Sequence, residues 1–231
     1  MYSKDFFDTV YHEHVDFHHV GPLMPFFAAR GMRLVQAHRA DIQGGALRCV
    51  VRKVERVAAD DDLSGDRDAL GDSVESSNLP PLLEDNGSVE TLRTLERNAG
   101  LDDAATFSRW SASIARKGLE LSTLLGGLRA AGKRVAAFGA PAKATTLMYH
   151  FGLDAGLVEY VVDDNPLKQG LYTPGLHVPV VSADSLYRPE TRPDYVVVLA
   201  WNFAGSIIDR NARFGAEGGR WIVPLPDLYI K

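Results

Sequence analysis

From Lys133 onward, short apolar runs recur at regular intervals, at residues 134–138, 158–162, 178–181, 195–199 and 221–223. The stretches between them, around residues 142–151, 183–186 and 205–213, carry helical patterning. Strands alternating with helices predict a parallel sheet with right-handed crossovers. The expected fold class is therefore α/β: a Rossmann-like parallel sheet of about five strands with flanking helices.

Upstream, the period lengthens. Phe107, Trp110, Ile114, Leu121, Leu124, Leu125 and Leu128 recur at helical spacing and predict one long amphipathic helix. Asp102 or Asp103 can cap its start and Gly132 can end it. Residues 22–30 read as a short helix with Leu23, Phe26 and Phe27 on its apolar face and Gly31 as the stop. Residues 32–35 and 47–51 are strand candidates, the second entered through Gly44-Gly45. Between these parts, residues 60–87 carry Asp60, Asp61, Asp62, Asp66, Asp68, Asp72, Glu75, Glu84 and Asp85 against Arg67 alone, with no period. This reads as an exposed loop, and it lacks the ligand register of a calcium loop. The expected divisions are residues 1–57, an acidic loop or linker at 58–100, and the sheet domain at 101–231.

Composition narrows the partners. The chain has 231 residues, 45% of them hydrophobic, enough for a real core. A formal net charge of -5 leaves no basic excess for a phosphate backbone, so no nucleic-acid partner is expected, although a local pocket for one anion is compatible with it. The single Cys49 makes neither an internal disulfide nor a zinc cluster. Residues 1–10 lack the pattern of a signal peptide, and no apolar run is long enough to span a bilayer. A cytoplasmic location with no membrane partner is the expectation.

In such sheets ligands sit beyond the carboxyl ends of the strands. That rule selects residues 139–143, 163–166, 200–203 and 224–226. The run Gly139-Ala-Pro-Ala-Lys143-Ala-Thr145-Thr146 follows a strand and opens a helix, which suits a phosphate or diphosphate; it also reads as a tight turn with a surface lysine. Asp163 stands where a ribose would be met, or simply begins a turn with Asn165-Pro166. His12-Glu13-His14 has three readings: a metal site, for which no further ligand is evident, a structural cluster, or general acid–base chemistry. On a strand, His12 and His14 would share a face.

Together these motifs form a known order: Phe7-Asp-Thr-Val-Tyr-His-Glu-His14, Gly44-Gly-Ala-Leu-Arg48, Gly139 to Leu147, Val162-Asp-Asp-Asn-Pro-Leu-Lys-Gln-Gly170 with Tyr172-Thr-Pro-Gly175, Leu199-Ala-Trp-Asn-Phe203 and Pro224-Leu-Pro226. The order resembles the C-terminal part of S-adenosylmethionine-dependent C-methyltransferases that act on nucleotide-linked keto-deoxysugars. The resemblance implies His14 as the base that removes a proton beside a ketone, giving an enolate that is methylated, with Tyr11 and Glu13 in support. It implies a substrate site for a dTDP-type sugar at Lys143, Asp163, Asn165, Lys168, Trp201, Asn202 and Phe203, to which the anion-loop reading adds the hydroxyls of Thr145 and Thr146. From the spacing of its own residues, no metal is expected in this chain.

It also implies that residues 1–57 are the C-terminal remnant of a class I methyltransferase domain. The usual His-Gly-Gly-Ser-Leu-Arg reads Gln43-Gly-Gly-Ala46-Leu-Arg here. S-adenosylmethionine would serve the complete enzyme, while this chain alone is expected to lack the donor-binding half, to bind no cofactor and to be inactive without a separate partner. The rival readings are a non-catalytic nucleotide-sugar-binding module or remnant, and a nicotinamide- or coenzyme A-binding Rossmann domain.

Overall fold

A computed structural model describes residues 6–40, 45–54 and 84–231. Most of the acidic stretch, and Gln43-Gly44, lie outside the described residues. The fold is mixed α/β in two compact units, one of residues 16–106 and the other of residues 1–15 with 107–231. Among the described residues, no helix is long and apolar enough to cross a membrane.

The smaller unit contains α1 (Val20–Ala28), β1 (Met32–Ala40), β2 (Ala46–Lys53) and α2 (Ser88–Asn98). β1 and β2 pair antiparallel, with a register shift between Leu34 and Gln36. Val20, Leu34, Ala37 and Val89 form its buried centre, and Leu23, Phe27, Leu47 and Leu92 pack on it. α1 starts two residues before the predicted boundary. Pro22 is tolerated because a first-turn N–H has no partner within the helix. Phe26, expected on the apolar face, is exposed.

α2 corrects the reading of residues 58–100 as loop. Val89 and Leu92 place one narrow apolar stripe on an otherwise charged helix, which a search for rich apolar runs passes over. Its Glu96 reaches back to α1: Oε1 accepts the Val20 N–H at 2.6 Å and Oε2 the Gly21 N–H at 2.9 Å.

The larger unit is built on a six-stranded sheet. α3 (Ala104–Ala130) is the predicted long helix, with Ile114, Leu121 and Leu125 buried. The Asp103 carboxylate accepts the Ala105 N–H at 2.9 Å at its start. Gly132, at φ 74°, closes its end in the left-handed conformation that favours glycine. Then follow β3 (Val135–Phe138), α4 (Ala142–Phe151), β4 (Val161–Val162), β5 (Val180–Val181), β6 (Tyr195–Val198), α5 (Ala204–Arg210), α6 (Ala212–Ala216), β7 (Arg220–Val223) and β8 (Tyr229–Ile230). Single-turn 3-10 segments lie at Ala183–Leu186 and Trp201–Phe203.

The spatial order is β5-β4-β3-β6-β7-β8, with β8 antiparallel and the rest parallel. β3 is buried along its whole length, as is expected of a strand covered by helices on both faces. Five parallel strands match the sequence reading; the antiparallel β8, two exposed residues long, was not anticipated. The helix expected over residues 205–213 is broken in two at Asn211. Phe6 and Phe7 belong to the main core cluster of this unit, Phe6 edge-on to Trp201 and Phe7 against Phe151.

Candidate functional site

The chain enters the sheet at β3, in its middle, adds β4 and β5 on one side and then crosses to β6 on the other. The loops after β3 and β6 therefore leave neighbouring strands at the carboxyl edge of the sheet, where ligands usually bind in open α/β folds. Gly139 begins the first loop at φ 91°, and a Cβ there would lie 2.8 Å from the Ala200 Cβ. Only glycine allows both that backbone and that approach between the two loops.

Asp163, at the end of β4, shapes the Gly139 loop from behind. Its Oδ2 accepts the Ala140 N–H at 2.7 Å and its Oδ1 the Asn165 N–H at 2.9 Å. Lys168 donates to the Ala140 carbonyl at 2.8 Å and stands 3.4 Å from Asp163. Asn165 accepts the Leu167 N–H at 3.0 Å through its side chain. Asp163 and Asn165 thus hold a turn, while Lys168 also borders a cavity of about 140 Å³. Ala140, Pro141, Thr145, Tyr172 and Pro174 line the same cavity.

A second cluster joins the loops after β3 and β6. Lys143, in the first turn of α4, donates to Asn202 Oδ1 at 2.5 Å and lies 5.0 Å from the centroid of the Trp201 ring. Its ammonium is 3.6 Å from Asp8 Oδ2, and the same oxygen accepts the Trp201 indole N–H at 2.7 Å. Asp8 has no exposed surface, and its Oδ1 has no hydrogen-bond partner among the described residues. Burial pushes the Asp8 carboxyl above its ordinary range, against the pull of Lys143 and the Trp201 bond. Burial also lowers the Lys143 ammonium, against the attraction of Asp8. Asn202 is exposed, and Phe203 is exposed beside it.

Residues 7–14 form a series of turns, so the strand geometry considered for His12 and His14 does not occur. Val10 N–H donates to Phe7, and His14 N–H to Tyr11, at 2.9 and 2.8 Å. Thr146 of α4 donates its hydroxyl to the Val10 carbonyl at 3.0 Å. His14 Nδ1 lies 2.8 Å from the Thr9 carbonyl. A carbonyl only accepts, so Nδ1 carries the proton and the lone pair of the neutral ring is on Nε2. The Tyr11 and His14 rings are 4.5 Å apart. Partial burial and the Glu13 carboxylate both push the Tyr11 phenol upward.

The structure therefore joins Lys143, Trp201 and Asn202 in one cluster and sets Thr145 and Lys168 on one cavity. Thr146 touches the segment that carries Tyr11, Glu13 and His14. Sequence reasoning missed Asp8. It stood inside a quoted motif, but nothing local distinguishes it from a surface aspartate; its partner Trp201 is 193 positions away.

Residues 82–226 match the family of the C-methyltransferase C-terminal domain, and the chain belongs to that family. It is also 32% identical, over 221 residues, to C-methyltransferase NovU of Streptomyces niveus. That match covers 96% of the chain and 46% of the relative, so the chain spans about half the length of the curated relative it matches. The expected family is thereby borne out.

Proposed function

We propose that this chain forms the sugar-nucleotide-holding part of a C-methyltransferase, with His14 as the base. The observation that carries this reading is the packing of the Tyr11–His14 turn into the same compact unit as the Gly139–Thr146 loop. The strand order is that of doubly wound folds that bind nucleotides at the point where the order reverses, which supports a Rossmann-like layer. The small residues of the Gly139 loop and the cation of Lys143 suit a diphosphate at the start of α4. In this reading His14 Nε2 takes a proton from the carbon beside a sugar ketone, leaving an enolate as the nucleophile.

Membership of the family implies S-adenosylmethionine in the full enzymes. Its sulfonium does not fit the Lys143 cluster. It would meet the Lys143 ammonium, and Asp8, the carboxylate beside it, is buried and hydrogen-bonded to Trp201. The donor is therefore not placed at this cluster.

Thermal melts of the chain with dTDP, NADH and coenzyme A test the reading. A ligand that binds only the folded state raises the melting temperature, and dTDP alone is expected to do so. A shift with NADH or coenzyme A and none with dTDP would overturn it. In the complete methyltransferase, His14→Ala is expected to reduce turnover by about 100-fold or more, the usual scale for a general base.

A further inference from the structure

We propose that Asp8 is a positioning residue that holds His14 in the tautomer with its lone pair on Nε2. The proposal rests on the reading of His14 as the base. Phe6 and Phe7 insert into the core of the sheet unit and carry the next residue inside with them. The Asp8 carboxylate is then fixed by the Trp201 indole at 2.7 Å and faces Lys143 at 3.6 Å. Two residues on, the Val10 carbonyl is held by the Thr146 hydroxyl at 3.0 Å.

Thr9 lies between these two anchors. Its own hydroxyl turns back to the Phe6 carbonyl at 3.2 Å, and its carbonyl faces His14 Nδ1 at 2.8 Å. The carbonyl that sets the tautomer is thus on a backbone clamped on either side. A partly buried, anchored acceptor favours one imidazole tautomer, because the alternative leaves the carbonyl facing an unprotonated nitrogen. Asp8 reaches neither substrate nor reacting atoms in this account; it acts through Thr9.

The tautomer is read directly from the ring nitrogen resonances of His14 in the full chain, by NMR above the imidazole titration. In the wild type His14 is expected almost wholly in the Nδ1–H form. Asp8→Ala should convert it to a mixture of both forms. Asp8→Asn keeps an acceptor for Trp201 and should restore most of the wild-type signal. Leu186→Val, a small truncation at a fully buried core position in the 3-10 turn that follows β5, controls for general loosening and should leave His14 unchanged.

Should Asp8→Ala not fold, Trp201→Phe removes the same anchor from the other side and is expected to give the same mixture. An unchanged tautomer in the folded Asp8→Ala or Trp201→Phe protein would overturn the proposal, as would an equal change in Leu186→Val. The measurement needs no turnover. A catalytically competent His14→Ala enzyme would overturn the base while leaving the Asp8 effect standing.

Discussion

At the scale of the residue, Asp8 and Lys143 are both displaced towards their neutral forms, because loss of solvent outweighs their mutual attraction. The sign follows for pH. The folded Asp8 carboxyl holds its proton to higher pH than the unfolded one, so the stability it contributes is fully present below the ordinary 3.8 and is lost as pH rises through the folded value. Asp8→Asn removes that dependence and keeps the Trp201 hydrogen bond. The melting temperature of the wild type should therefore fall relative to Asp8→Asn as pH rises from about 4. Parallel curves between pH 3 and 7 would mean that Asp8 ionises as it does in water.

Elements show where the sequence was legible and where it was not. α4 occupies the stretch of helical patterning around residues 142–151, and Pro141 before it and Gly152, at φ 65°, after it fix its ends. β3 and β6 were read from runs of valine, alanine and phenylalanine or tyrosine whose burial on both faces needs no alternation. α2 and β8 were missed, since a single apolar stripe and a two-residue strand give little local signal. In the candidate site, the strand-end rule located Lys143, Trp201 and Asn202. The roles of Asp8 and Thr146 depend on partners more than 130 positions away.

Glu96 is of the same kind. α1 has no side-chain cap from His19, and the carboxylate of another helix takes its first two N–H groups instead. Glu96→Ala should cost about 1–2 kcal/mol, the usual cost of losing an N-cap. Hydrogen exchange should quicken at the Val20 and Gly21 amides and stay slow in β3 and β6. Unchanged exchange at Val20 and Gly21 would show that water caps α1 equally well.

For the whole molecule, the compact units do not follow chain order, and this changes which fragments can stand alone. The sheet unit takes residues 6–15 from the far end of the chain, and a fragment of residues 101–231 would lack them. Phe6 and Phe7 are each only 6% exposed. Burying one such side chain stabilises by about 1.5–3 kcal/mol, and the loss of Asp8 would add an unpaired Trp201 N–H at about 1–3 kcal/mol. A deficit of about 4 kcal/mol or more is a large part of the 5–15 kcal/mol that usually holds a domain together. The 101–231 fragment should therefore exchange its β3 and β6 amides much faster than the full chain does. A synthetic peptide of residues 1–15 should slow that exchange again in a concentration-dependent way, because it binds only the folded fragment. Exchange in the bare fragment as slow as in the full chain would mean that the sheet unit is complete without its N-terminal segment, and that the clamp on Thr9 contributes nothing to its stability.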